Sequence, residues 1–164
     1  VSQAAPPFER KIRAPQDLAH WLAGLPRPLV FTNGVFDLLH RGHVTYLARA
    51  RERGAALLVA LNSDVSARAL AKGDDRPVNR LEDRLALVAS LESVDAVTWF
   101  DAATPVALIE ACRPEVLAKG GDWPVERIVG AAGVLARGGE VVAIPIEHER
   151  STTALLARIR GAST

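Results

Sequence analysis

The chain is predicted to fold as an α/β domain, because five short, near-continuous apolar runs alternate with segments of helical period. Runs that are apolar throughout, rather than at every second residue, suit a parallel sheet covered by helices on both faces. Polar tips (TNGVFD, NSD and KGGDW) follow three of the runs. In open α/β sheets, ligands gather beyond the carboxyl ends of the strands, where strand order reverses. The 164 residues show no internal repeat. The expectation is therefore one Rossmann-like, doubly wound domain with a five-stranded parallel sheet flanked by helices, at residues 15–164. A Pro- and charge-rich stretch at 1–14 is expected to be a loose N-terminal arm.

The elements follow in order. APQDLAHWLAGLP reads as a short amphipathic helix with Leu18, Trp21 and Leu22 on one face, stopped by Gly24 and Pro26. Leu29 to Thr32 is the first buried strand. From His43 to Arg53 the pattern turns helical, with Val44, Leu47 and Ala48 on one side and Gly54 as the stop. ALLVALNSD is the second strand, and residues 71 to 79, AKGDDRPVN, read as an exposed loop. Leu81, Leu85, Val88 and Leu91 mark one stripe of a helix. AVTWF is the third strand. Thr104-Pro105 starts a helix that Arg113-Pro114 closes. EVLAKGGDW and GGEVVAIPI supply the fourth and fifth strands. In STTALLARIR, Ser151 or Thr152 caps a last helix packed through Leu155, Leu156 and Ile159. Trp21 and Trp99 are assigned to packing.

Composition narrows the function. About half of the residues are apolar (49%) and the net charge is +1, so no concentrated basic face points to nucleic acid. No uncharged apolar run is long enough to span a membrane. A single cysteine, Cys112, excludes an internal disulfide and a cysteine-based zinc site, and reads as a small buried apolar residue. The opening VSQAAPPFERKIRAP lacks the apolar core of a signal peptide, so a cytoplasmic setting is expected.

The chemistry concentrates in HRGH, at the entrance to the second helix. His40 and His43 lie three residues apart and so point to one side of a first helical turn. Gly42 between them lets a ligand approach the backbone, and the helix mouth favours an anion such as phosphate. Asn33-Gly34 upstream offers another close approach. An isolated His-x-Gly-His fits a solvated or capping pair equally well; its place straight after the first buried strand favours the ligand. The glycine spacing excludes a G-x-G-x-x-G dinucleotide site, and neither a P-loop nor a G-x-S-x-G elbow occurs. Asp37 adjoins the histidines, but three groups fall short of a transition-metal ligand set, and no metal held by protein alone is expected. At the fourth strand tip, Lys119 is either solvated or ligand-facing, and Gly120-Gly121 leaves room for an adenine or ribose. Trp123 either walls a sugar pocket or covers the sheet edge. Arg76 is either a site residue or part of the turn at Pro77.

These segments resemble the nucleotidyltransferases marked by an H/T-x-G-H motif. More closely, the chain is similar to D-glycero-β-D-manno-heptose 1-phosphate adenylyltransferases, which make ADP-heptose for the lipopolysaccharide inner core. The resemblance runs from about Leu29 to Arg160, through FTNGVFDLLHRGHVTYL, ALNSD, KGDDRPVN, EVLAKGGDW and STT in family order. GVFDLLHRGH alone marks the superfamily; KGDDRPVN with KGGDW and STT is more specific.

The resemblance implies that ATP, with Mg²⁺ on its phosphates, and a sugar 1-phosphate are the substrates. Asn33, Gly34, Val35 and Phe36 would face the nucleotide together with Gly42, Lys119 and Gly120. His40 and His43 would contact the triphosphate, Lys72 would reach it from the loop, and Ser151, Thr152 and Thr153 would grip its outer phosphates. Asp37, Asn62, Asp64, Arg76, Asp122 and Trp123 would lie near the substrates. The sugar phosphate oxygen would attack the α-phosphorus in line while pyrophosphate leaves. Because that nucleophile is already anionic, no general base is required. Some members carry a fused sugar kinase; no kinase signature occurs here, so heptose 1-phosphate is expected from a separate protein. A homodimer or higher homo-oligomer is a mild expectation.

One departure stands out. Related cytidylyltransferases read RTEGISTT where this chain reads IEHERSTT, with Ile146 in place of the leading arginine and Glu149-Arg150 in place of Gly-Ile. That speaks against a cytidylyltransferase more than against an adenylyltransferase. Open alternatives are transfer from CTP to a small phosphorylated alcohol such as glycerol 3-phosphate, and a non-catalytic nucleotide-sensing domain. A tRNA synthetase fragment lacks support, since no K-M-S-K-S-like motif is present.

Overall fold

A computed structural model describes residues 4–70, 75–148 and 151–161. Five strands form one parallel sheet in the order β3-β2-β1-β4-β5. They are β1 (Leu29–Gly34), β2 (Ala56–Asn62), β3 (Ala96–Phe100), β4 (Val116–Gly120) and β5 (Glu140–Ile144). β1 pairs with β2 along its full length, from Leu29 opposite Ala56 to Gly34 opposite Leu61. Its pairing with β4 covers only Val30–Val116 and Phe31–Leu117. Beyond those two pairs the central strands part, which opens a crevice where the strand order reverses.

Helices cover both faces, as the two-sided apolar runs require. They are α1 (Pro15–Leu22), α2 (Arg41–Arg51), α3 (Asp64–Ala69), α4 (Leu81–Ala89), α5 (Val106–Cys112), α6 (Ala131–Ala136) and α7 (Thr152–Ile159). Alternate strand residues divide between two cores. Leu29, Phe31, Leu58 and Leu117 pack with Leu18, Leu22, Ile109 and Val134 on one face. Val30, Leu57, Val59 and Val116 pack with Leu47, Leu85 and Val88 on the other. Trp21 and Trp99 pack against these cores, and Cys112 is buried among them, its thiol pushed up to about 12 chiefly by burial.

Several expectations need correction. β1 continues two residues beyond Thr32, to Gly34. α2 begins two residues before His43, and its buried face is Gly42, Tyr46, Leu47 and Ala50. Val44 is 42% exposed and Ala48 is exposed as well. The sheet meets the helix where the Tyr46 hydroxyl bonds Thr32 Oγ1 at 2.6 Å, and that contact sets the rotation. Gly54 does more than stop α2: a Cβ there would lie 2.6 Å from the Pro28 carbonyl oxygen, so the α2–β2 turn needs glycine to pack on the start of β1. In α7, Ile159 is 75% exposed rather than packed. The arm is anchored from Pro7 onward. Pro7–Lys11 forms a 3-10 turn, Phe8 and Ile12 pack against the core, and Arg13 N donates to Val97 O at 2.9 Å. α3 and α6 were not anticipated. No described helix is long and apolar enough to cross a membrane.

Candidate active site

Beyond the carboxyl ends of β1 and β4 lies a chamber of about 620 Å³. Asn33 and Gly34 reach it from the tip of β1, and Lys119 and Gly120 from the tip of β4. After Gly34 the chain turns sharply: Phe36 adopts the left-handed region at φ 48°. Its ring folds back so closely that a Cβ on Gly34 would stand 2.9 Å from it. The same ring meets the imidazole of His43 edge-on at 5.3 Å.

His40 is the N-cap residue of α2 but makes no side-chain capping bond. Its ring instead stacks on His43 at 3.8 Å, with 21° between the planes. Both Nδ1 atoms are buried and find no hydrogen-bond partner among the described residues. Burial, and then the neighbouring His40, pull His43 down to about 4, with the Leu38 backbone opposing them; burial also lowers His40. The pair is therefore neutral near pH 7, able to donate hydrogen bonds without carrying charge. Gly42 leaves the approach open, since a Cβ there would come to 3.0 Å from the His40 ring and 3.1 Å from the His148 carbonyl.

The opposite wall is the mouth of α7. Ser151 Oγ accepts from Ala154 N at 3.0 Å, and Thr152 Oγ1 donates to Leu38 O at 3.3 Å, tying this helix to the β1–α2 connection. Two helix mouths thus open onto one chamber, each with first-turn amides that have no intrahelical acceptor. Together with the imidazoles they make a seat suited to a multiply charged phosphate chain.

Behind the seat sits a network that sequence reasoning missed. Arg84, fully buried on α4, donates from Nη1 to Val35 O and Asn62 O, both at 2.8 Å. It also donates from Nε to Asn79 O at 3.1 Å and from Nη2 to Asp64 Oδ1 at 2.7 Å. One side chain thereby ties the tips of β1 and β2 to the residues ahead of α4. A signal was available: Arg84 falls on the apolar stripe of Leu81, Leu85 and Val88, where a charge must be paired. Asp64 spends its carboxylate on that guanidinium.

Asp37, at 2% exposure, is similarly engaged. It accepts from Arg76 Nε at 2.8 Å and from the amides of Val78 and Asn79 at 2.9 Å. The second half of the expected surface loop is therefore latched down, with the Arg76 side chain 11% exposed and facing the chamber. Lys72, like Asp74, Glu149 and Arg150, lies outside the described residues.

A second chamber of about 380 Å³ adjoins the first and shares Asn33, Gly34, Val35 and Lys119 with it. Asn62 and Trp123 line this one, with Thr104, Pro105 and Arg127. Asn62 Nδ2 donates to Ser66 Oγ at 2.9 Å, and Trp123 is 54% exposed. Asp122 is exposed, and neither it nor Asp64 lines either chamber. The other named site residues, Val35, Phe36, Gly42 and Thr153 included, line the first, joined by Tyr46 and Ile146, which were not singled out as lining residues.

Comparison with known proteins fits this geometry. Residues 31–156 match the family model described as cytidylyltransferase-like. The D-beta-D-heptose 1-phosphate adenylyltransferase of Bordetella bronchiseptica is 55% identical over 155 residues, covering 93% of this chain and 96% of that protein. The bifunctional protein HldE of Hahella chejuensis is 50% identical over 132 residues, which are 80% of this chain but only 28% of that longer protein. The crystal structure of the lipopolysaccharide core biosynthesis protein from Thermoplasma volcanium superposes with a TM-score of 0.61 at 25% identity, covering 74% of this chain and 98% of the other.

Proposed function

The chain belongs to the cytidylyltransferase-like family, and from that premise we propose that it transfers AMP from ATP to D-glycero-β-D-manno-heptose 1-phosphate. The products are ADP-heptose, for the lipopolysaccharide core, and pyrophosphate. One observation carries the reading: the first strand tip, HRGH, KGG and STT, far apart in sequence, line a single chamber with two helix mouths facing a pair of neutral imidazoles.

The triphosphate occupies the first chamber, its outer phosphates between His40, His43 and the amides and hydroxyls of Ser151 to Thr153. The acceptor occupies the second, with Asn62 and Trp123 against the sugar. Its phosphate oxygen forms a bond to the α-phosphorus as the bond from that phosphorus to the α,β-bridging oxygen breaks. No proton has to move. Catalysis then reduces to alignment and to stabilising the negative charge that spreads over the transferring group. Neutral imidazole donors suit that task, because they strengthen as charge builds up on the oxygens they touch. Asp37, Arg76 and Arg84 hold the floor and loop in register.

The described residues contain no cluster of three or more His, Cys, Asp or Glu side chains able to hold a metal ion. We propose that Mg²⁺ is bound mainly through the substrate phosphates and water, a ligand set it favours. Once bound it would supply charge neutralisation for the departing pyrophosphate. Ile146, exposed in the first chamber, gives the nucleotide an apolar wall where a cytidylyltransferase would place an arginine. We further propose a cytoplasmic setting, where ATP is abundant.

The test is product analysis with purified protein, Mg²⁺, ATP and heptose 1-phosphate. Stoichiometric pyrophosphate and ADP-heptose are expected, with CTP, GTP and UTP poor substitutes. Faster turnover of CTP with glycerol 3-phosphate would replace the reading. ATP binding without pyrophosphate release, whatever the acceptor, would leave a sensing domain.

A further inference from the structure

The two chambers meet along Asn33, Gly34, Val35 and Lys119, and of these only Lys119 carries an ionisable side chain. Its position is fixed by the sheet. Lys119 pairs with Ala143 on β5, while on its other side β4 has already parted from β1. Continuing the register of Val30–Val116 and Phe31–Leu117 would set Lys119 across the crevice from Asn33. The residue is half-buried and stands on a strand rather than on a loop.

The chemistry creates a problem at that wall. An anionic phosphate must approach an α-phosphoryl group that is itself negatively charged, and like charges repel strongly in a site shielded from water. The imidazoles, the α7 mouth and Arg76 line the first chamber and not the second. Arg127 lines only the second chamber.

We propose that Lys119 is a catalytic residue whose ammonium group contacts both the attacking phosphate oxygen and a non-bridging oxygen of the α-phosphoryl group. This rests on the two-chamber reading above. Lys119 stays protonated throughout: one phosphorus–oxygen bond forms, one breaks, and the ammonium offsets charge at the point where donor and acceptor meet.

The experiment compares wild type, Lys119→Met and Lys119→Arg by single-turnover rate at saturating substrates, ATP affinity by calorimetry, and melting temperature. Lys119→Met is expected to lose about a hundredfold or more in rate, as for one lost charge-stabilising donor, while its ATP Kd changes by less than about threefold. Lys119→Arg, which keeps the charge, is expected to hold about a tenth of the wild-type rate or more. A Lys119→Met rate within about threefold of wild type, or a defect confined to ATP affinity, overturns the proposal. Should Lys119→Met melt early, Lys119→Arg decides, and a loss as complete as that of Met at normal ATP affinity overturns it. Failure of the functional reading looks different. Wild type would then turn over another phosphate acceptor, and the same two variants, assayed with that acceptor, still decide the role of Lys119; a wild type that binds ATP but turns over no acceptor overturns both.

Discussion

Two groups of polar side chains at the site are treated in opposite ways, the buried Arg84 and Asp37 on one hand and the half-buried His40 and His43 on the other. Around Arg84 and Asp37, each side chain has strong partners: Arg84 reaches three carbonyls and a carboxylate, and Asp37 accepts from a guanidinium and two amides. At His40 and His43, both Nδ1 atoms are buried without a partner among the described residues, and the two rings press against each other. Buried polar groups normally find partners, so a satisfied cluster reads as scaffold and an unsatisfied one as a place kept for something else. The difference separates side chains that hold the chamber walls from those left open toward it.

The sharpest test of that contrast is Arg84→Met. Removing one partner from a buried network leaves the Asp64 carboxylate and three carbonyls uncompensated, so a stability loss of about 3–5 kcal/mol is expected in urea denaturation. A loss below about 1 kcal/mol would break the comparison, because the network would then be dispensable. Next comes His43→Ala. Turnover should fall about a hundredfold or more, equivalent to about 3 kcal/mol in the barrier, while stability stays within about 1 kcal/mol of wild type. Near-normal pyrophosphate release by this variant would remove the imidazoles from the mechanism.

Asp37→Asn should be milder, costing about 2 kcal/mol as charge-assisted bonds become neutral ones. Amide exchange at Val78 and Asn79 should accelerate, and unchanged protection would show that the latch is held by something else. The smallest effect concerns pH. His43 titrates near 4 in the folded protein, while an unfolded histidine titrates near 6.5. Between those values the unfolded state binds more protons, so stability is lost as pH falls through this window and regained as it rises. Denaturation midpoints at pH 5 and pH 7 should differ more in wild type than in His43→Ala. Equal differences would mean that His43 is not held neutral.

Much of this arrangement was legible in the sequence. The strands were, because a two-sided sheet demands continuous apolar runs, and each run maps onto one strand of the structure. HRGH was legible from its place straight after the first buried strand, whereas KGG and STT were legible through the family resemblance that their order in the chain carries. Six-residue helices such as α3 and α6 escaped, being too short to display a period. The rotation of α2 escaped because a tyrosine hydroxyl, rather than Val44, determines which face is buried. The roles of Asp37 and Arg84 escaped for a different reason. Their partners include residues 39 to 49 positions away in the chain, and no local pattern announces a bond of that reach. The second chamber is similar, since most of its walls come from connections that carry no motif.

The bond from Thr152 to the Leu38 carbonyl joins residues 114 positions apart. It also places one wall of the phosphate seat on the seventh helix, long after the other wall has been translated. A chain whose sheet has formed but whose last helix has yet to dock therefore presents only one side of that seat. Completing the seat thus requires the two ends of the domain to be folded against each other.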